Sequence, residues 1–394
     1  MNIISNQSGS VGIYLHFPYC VHKCSYCDFY SIEKLSSRDK FAEAAVAEIK
    51  LRNQETGSKL KVETIFFGGG TPSLMKPQHM EQITQALHDC FDMSELSEWT
   101  MECNPGTIDA KFIADYKQFG VNRISFGVQS FNRDELKFLE RIHDEKSIYN
   151  AVNIARKAGF ENLSIDLIYA IPGQTLDTWS DSITKALSLQ TEHISAYSLI
   201  YEPETPLYDR FIRGELNVHD EEIDQDFYEL AVKNFAGSYY EHYEISNFAK
   251  EGFKCLHNLK YWTSEDYLAY GPSAHGLYHK QRYWNYRDLD KYFTLLGEGK
   301  LPIENSEVLT PEQQINERIY LDLRSEGLRF DSFAEKFGFD LRQNCTQFID
   351  KLVAEGYAVD KSSNTLKLTS KGYFVSDRIT IEFMKIAERN RKIY

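Results

Sequence analysis

Strand-like and helix-like segments alternate from residue 14 to residue 199, and that rhythm constrains the fold more than any other feature. The strand-like runs are residues 14–19, 62–67, 99–102, 123–129, 162–168 and 193–199. They are short, rich in β-branched and aromatic residues, and bounded by turn formers. Helix-like stretches at 37–51, 77–90, 109–120 and 147–158 lie between them. Strands joined through helices are parallel, because such a crossover returns the chain to the same end of the sheet. The fold class is therefore α/β. Periodicity alone leaves a doubly wound sheet and a six-unit partial barrel both open.

From about residue 310 the pattern changes. Thr310-Pro311-Glu312 is a helix start, with proline at the first helical position. Helix-like segments at 312–323, 331–337 and 340–355 precede two short strands, 357–360 and 365–369, and a last helix over 370–386. This reads as a small α+β winged-helix-like domain over 301–394, after a first domain over 1–300. A winged helix does not by itself bind DNA. With 58 acidic against 44 basic side chains the net charge is −14, which makes the chain a poor candidate for non-specific nucleic-acid or anionic-membrane binding. A lid or interaction role fits better, and the basic run at 389–392 is too short to change that. Residues 1–10 are polar, no run of 18 apolar residues occurs, and no signal pattern precedes the first strand, so a cytoplasmic location is expected.

The first strand delivers Cys20-Val-His-Lys-Cys24-Ser-Tyr-Cys27. One short loop can bring three thiolates to one place. Structural zinc and ordinary iron–sulfur clusters take four protein ligands. Two readings follow: zinc, with His16 or His22 as the fourth ligand, or a [4Fe–4S] cluster whose fourth iron stays open for a small molecule. Cys90, Cys103, Cys255 and Cys345 are scattered, so no disulfide framework is expected, and Cys90 and Cys345 read as small buried apolar residues.

The second strand ends in Gly68-Gly69-Gly70-Thr71, where missing side chains let a ligand approach backbone groups. Glu102, Gln129 and Asp166 each stand at or near the end of a later strand, among apolar residues. Burial without partners costs each about 1–3 kcal/mol, and a polar cofactor would supply partners. Further on, His257-Asn258-Leu259-Lys260-Tyr261-Trp262 joins an imidazole to large flat rings. An imidazole of this kind is either a hydrogen-bonded structural residue or a ligand for haem iron, with aromatic walls for the macrocycle.

Y-x-H-x-P-x followed by C-x3-C-x2-C resembles the radical S-adenosylmethionine (SAM) superfamily, and within it the coproporphyrinogen III oxidase-like branch. The resemblance implies a partial (β/α)6 barrel and a cluster held by Cys20, Cys24 and Cys27. The open iron of that cluster would chelate the amino and carboxylate groups of SAM, and one-electron reduction would release a 5′-deoxyadenosyl radical. It also implies that Gly69, Gly70 and Thr71 meet the methionine end of SAM. Glu102, Gln129, Arg141 and Asp166 would line the rest, Tyr14 and Tyr26 flanking and Ser198 adding backbone.

H-N-x-x-Y-W is similar to the signature of the haem-chaperone family HemW in that branch. This implies haem as a further ligand, His257 as its iron ligand with Tyr261 and Trp262 supporting it, and delivery to acceptors such as respiratory haem enzymes. Peripheral association with membrane haem enzymes and a homodimer are compatible with that role. The oxidase pattern carries a further cysteine where Phe29 stands and a long extension before the cluster, against 19 residues here. The family's usual G-x-G-A-H-S reads Gly271-Pro272-Ser273-Ala274-His275-Gly276. Oxidative decarboxylation of coproporphyrinogen III is the enzymatic alternative, and a zinc-stapled binding module the non-enzymatic one.

Overall fold

The computed structural model describes residues 9–56 and 59–391. Six strands, β1 (Val11–Phe17), β2 (Val62–Gly69), β3 (Glu98–Cys103), β4 (Arg123–Gln129), β5 (Asn162–Tyr169) and β6 (His193–Ser198), pair in parallel and in sequence order. Helices α1 (Arg38–Thr56), α2 (Pro77–Cys90), α3 (Ala110–Gln118), α4 (Arg133–Phe138), α5 (Glu145–Lys157) and α6 (Leu176–Ser188) fill the crossovers. A doubly wound sheet reverses its strand order part-way. Here the order never reverses, so right-handed crossovers put every helix on one face and leave the other as the lumen of a partial barrel.

The two faces differ in chemistry. Ile13, Leu15, Ile65, Phe67, Met101 and Phe126 are fully or almost fully buried on the helix side. Each such side chain contributes about 1.5–3 kcal/mol. Tyr14, Thr64, Glu102, Ser125, Asp166 and Ser195 alternate with that apolar set and line the lumen. Parallel sheets are usually apolar on both faces. A polar lumen is therefore the first structural sign of a ligand.

The next hundred residues extend the sheet at both edges. After α7 (Pro206–Ile212) and α8 (Glu221–Ala236), the hairpin β7 (Glu241–Glu244) and β8 (Asn247–Ala249) adds antiparallel to β6. Helix α9 (Leu256–Thr263) leads to β9 (Tyr267–Tyr270), which pairs in parallel with β1 on its free side. Then β10 (His275–Tyr278), β11 (Gln281–Asn285) and, past α10 (Leu289–Gly297), β12 (Ile303–Val308) continue antiparallel, giving the order β12-β11-β10-β9-β1-β2-β3-β4-β5-β6-β8-β7. His279 and Lys280 both have positive φ (52° and 65°), as a two-residue β10–β11 hairpin turn demands.

The C-terminal part holds α11 (Pro311–Arg324), β13 (Leu328–Arg329), α12 (Phe330–Phe337), α13 (Leu341–Ala354), β14 (Ala358–Lys361) and β15 (Thr365–Leu368). Its strands form a separate antiparallel sheet in the order β13-β15-β14. Thr310 and Gln313 cap α11 reciprocally, with Pro311 at the first helical position. One expectation needs correction. The single helix over 370–386 is two helices, α14 (Ser370–Phe374) and α15 (Ser376–Arg391), broken at Val375. The break lets buried Tyr373 donate to the Ser325 carbonyl at 2.8 Å. Among the described residues no helix is long and apolar enough to cross a membrane. The polar start of the chain, residues 1–8, and Lys392 of the basic tail lie outside the described residues.

Candidate cofactor site

The cysteine loop leaves β1 at the C-terminal end of the barrel, where parallel α/β sheets assemble their chemistry. Backbone bonds fix its course: Cys20 N–H donates to the Ile32 carbonyl (3.0 Å) and Cys27 N–H to the Cys24 carbonyl (3.1 Å). Two acidic side chains clamp it from outside. Glu33 accepts from Lys23 N–H (2.8 Å) and Glu140 from Ser25 N–H (3.1 Å). His22 lies between the same two carboxylates, 3.1 Å from Glu33 and 3.4 Å from Glu140. His16 has both ring nitrogens occupied, by Tyr14 Oη (3.1 Å) and the Tyr30 carbonyl (2.8 Å). His16 therefore has no free nitrogen for a metal, and the exposed His22 spends both of its nitrogens on the carboxylates that clamp the loop.

The thiols themselves are free cysteines. Thr71 Oγ1 donates to Cys20 Sγ (3.5 Å), and Arg141 Nη1 to Cys24 Sγ (3.6 Å). Burial raises the pKa of Cys20, and that of Cys27 to about 11, with neighbouring thiols adding to both shifts. Among the described residues no three His, Cys, Asp or Glu side chains converge on a single-ion centre. The three thiols are close enough to act on one another, and three thiolates from one loop are the protein share of a cluster that keeps one iron open. Three sulfurs, cationic Arg141 and a glycine cradle are donors that fit such a cluster.

The cradle is at the end of β2. Gly69 has φ +101°, a conformation that disfavours any side chain, and a Cβ on Gly70 would lie 2.7–2.8 Å from backbone atoms of Phe17 and Tyr19. Gly70 N–H donates to the Phe17 carbonyl (2.8 Å) and Thr71 N–H to that of Tyr19 (2.7 Å), tying the turn to the cysteine loop. Glu102 accepts from Gly69 N–H (3.1 Å). It keeps partial contact with solvent, yet burial, and then the neighbouring Asp166, push its pKa up to about 8. Asp166 is also raised by burial, although Ser125 Oγ lies 3.2 Å from both its oxygens. Two carboxyls in one polar lumen that disfavours their charge are poised to accept hydroxyl donors.

Gln129 ends β4 at φ 66°, an uncommon left-handed conformation for a side-chain-bearing residue. Its amide lies beside Arg141, whose Nη2 donates to the Gly127 carbonyl (2.7 Å) and whose Nε has no partner. Tyr26 packs against the apolar group of Leu139, Ile168, Ile171, Leu199 and Leu207. Tyr14 lies on the lumen face, and Ser198 pairs with Tyr169 at the end of β6. The expected SAM residues therefore gather at one mouth. Sequence reading missed the clamps Glu33 and Glu140; the latter's position next to Arg141 was the available signal.

His257 is elsewhere. It is fully buried at the opposite, N-terminal end of the lumen, on α9, with Nδ1 2.8 Å from Thr64 Oγ1 and Nε2 2.9 Å from Tyr261 Oη. Thr64 and Gly69 are five steps apart along β2, roughly 16 Å of strand. Glu98 caps α9, accepting from Leu256 N–H (3.0 Å) and His257 N–H (3.1 Å). Trp262 gives its carbonyl to Arg318 of α11 (2.5 Å). H-N-x-x-Y-W thus forms a helical plug, with His257 and Tyr261 one turn apart and bonded to each other.

Comparisons with known proteins agree with this architecture. The radical SAM superfamily profile matches residues 14–186, and the HemN C-terminal domain profile residues 309–375. The heme chaperone HemW of Bacillus subtilis is 36% identical over 94% of this chain and 98% of its own, and that of Lactococcus lactis 35% identical over 94% and 96%. The chain belongs to the HemW family. The coproporphyrinogen III oxidase HemN of Escherichia coli, a radical SAM enzyme, superposes with a TM-score of 0.83 over 96% of this chain and 91% of its own, at 20% identity. That likeness shows the fold that HemW relatives share with the oxidase.

Proposed function

We propose that the chain is a haem chaperone: it binds a [4Fe–4S] cluster, SAM and haem, and passes haem to acceptor proteins. The observation that carries this is near-full-length relationship to HemW chaperones, joined to a polar lumen that opens on a three-cysteine loop. Cys20, Cys24 and Cys27 are the cluster ligands in this reading. Gly69, Gly70 and Thr71 receive the amino-acid end of SAM. Glu102 and Asp166 accept from its ribose hydroxyls, Gln129 and Arg141 bound the site, and Tyr14, Tyr26 and Ser198 close its edges. When bound, cluster and SAM supply one-electron chemistry at a carbon–sulfur bond.

What this chain's own residues do is position that pair. Arg141 donates toward Cys24 and balances thiolate charge. Thr71 couples the cradle to the cluster through Cys20. We place the protein in the cytoplasm, with membrane haem enzymes among its acceptors and a homodimer as a working form. The test is an anaerobic haem titration of the reconstituted protein, followed by transfer to a haem-free acceptor. Haem uptake with transfer supports the reading. Conversion of coproporphyrinogen III to protoporphyrinogen at sustained turnover would replace it with the oxidase reading, and stoichiometric zinc without iron or sulfide would replace both.

A further inference from the structure

An imidazole binds haem iron through a free lone pair. Of the 11 histidines, His16, His22, His79, His143, His193 and His257 have both ring nitrogens engaged; His242 is held through Nε2 by Tyr228 Oη and the Ile245 carbonyl with its ring packed between Phe248 and Tyr373, and His219 donates through Nε2 to the Ile171 carbonyl. No ring hydrogen bond is found for His88, His275 and His279 among the described residues. His88 lies on the outer helix α2, and His279 is in the hairpin turn between β10 and β11. His275 differs from both in its place.

Register partners share a face of a sheet. Tyr14 pairs with Ala269, two residues from Tyr267; Tyr267 pairs with Leu277, two residues from His275; and His275 pairs with Trp284. His275 and Trp284 therefore stand on the face that continues the barrel lumen sideways, beyond Tyr14. They are also at the mouth end, because β9 runs parallel to β1 and the Gly271 turn touches His16. The exposed imidazole stacks on the Trp284 indole at 5.8 Å between centroids and 18° between planes. His275 and Arg287 are close enough for their charges to act on His16. Arg287 is exposed and spends one N–H on the Asp28 carbonyl (3.1 Å), next to Cys27. The turn carrying His275 is anchored from below: buried Glu48 accepts from Gly271 N–H (2.8 Å), and Asn285 donates to the Gly271 carbonyl (2.8 Å).

We infer that His275 is the iron ligand of a haem seated on this shelf, with Trp284 bracing the imidazole plane and Arg287 facing a propionate. The inference rests on the haem-binding reading above and changes its ligand. Iron–imidazole bonding needs a nitrogen that is free and an orientation that is held. His275 has both, whereas His257 would first have to give up Thr64 and Tyr261. A haem carries two carboxylates, and Arg287, exposed beside the cluster loop, is a cation available to one of them, while the Glu304 carboxylate lies near enough to His275 to favour charge on the imidazole side of the shelf.

The experiment is haem titration of the cluster-loaded full chain, read by the Soret band and by resonance Raman of the iron–histidine bond. His275→Ala is compared with wild type and with His279→Ala, an exposed imidazole outside the shelf. Circular dichroism and iron content confirm that the variants fold. The expected result is at least a tenfold loss of affinity and loss of the histidine-ligated signature in His275→Ala, restored by added imidazole, with His279→Ala like wild type. His275→Ala that retains wild-type affinity and spectrum overturns the site while leaving the chaperone reading intact. Wild-type protein that gives no Soret complex overturns both.

Discussion

Glu102 gives the sharpest energetic test of the lumen. Its carboxyl is raised from 4.5 to about 8 by burial and by Asp166, so the folded chain without cofactor holds a proton there that the unfolded chain has lost. For an acid with a raised folded pKa, the stabilisation is complete below the unfolded value and declines as pH rises through the folded one. One proton held only by the folded state gives a limiting slope of about 1.4 kcal/mol per pH unit. Glu102 keeps partial solvent contact, which narrows the pH window over which that slope acts, so about one unit's worth of it, about 1.4 kcal/mol, is the expected effect between pH 6 and pH 8. Glu102→Gln removes the titration and retains an acceptor for Gly69 N–H. Urea unfolding of the cofactor-free protein at pH 6, 7 and 8 should show wild type losing about 1.4 kcal/mol more than the variant over that range. Taking the difference cancels the buried histidines and Glu244, whose own shifts are common to both chains. Parallel pH dependences in the two proteins would refute the protonated lumen.

Three further outcomes follow from single contacts. Gly70→Ala drives a Cβ against three backbone atoms at 2.7–2.8 Å, so it should cost about 1–3 kcal/mol, read as a lower denaturation midpoint. Cys24→Ala should lose most of the iron and acid-labile sulfide after anaerobic reconstitution while far-ultraviolet circular dichroism stays unchanged, since the backbone bonds of the loop do not use its thiol. Glu48→Gln puts amide hydrogens among four donors, from Arg52, Asn285, Gly271 and Tyr292, and leaves Arg52 without its buried counter-charge. About 3–5 kcal/mol of stability should be lost, measured by chemical denaturation.

The repeating units were legible because each strand carries an apolar face that requires helices, and residues 123–129 were located to the residue. The polar lumen was legible for a related reason. A carboxyl at position 102 or 166 contradicts a buried strand unless something polar fills the lumen. What stayed illegible is whatever depends on pairing between distant segments. The edge strands β9–β12 are short, and their order in the sheet is set by contacts with β1 and with each other, not by local propensity. The clamps of the cysteine loop are likewise remote: Glu140 lies 115 residues from Ser25.

His257 shows most clearly where a motif stops informing. An imidazole near Tyr and Trp satisfies the composition of a haem pocket, and the same spacing places His257 and Tyr261 on one face of a helix. Sequence alone cannot tell whether that face meets a ligand or a lumen wall. The structure assigns it to the wall: Thr64 and Tyr261 occupy both nitrogens, and Phe66 stacks on the ring at 5.3 Å. His257→Ala should therefore act first on stability. It leaves Thr64 and Tyr261 unpaired in a dry interior, at about 1–3 kcal/mol for each hydroxyl that finds no new partner. Urea unfolding of the haem-free protein measures this directly. An unchanged midpoint would mean that the plug is loose enough to open, and would return His257 to the list of accessible ligands.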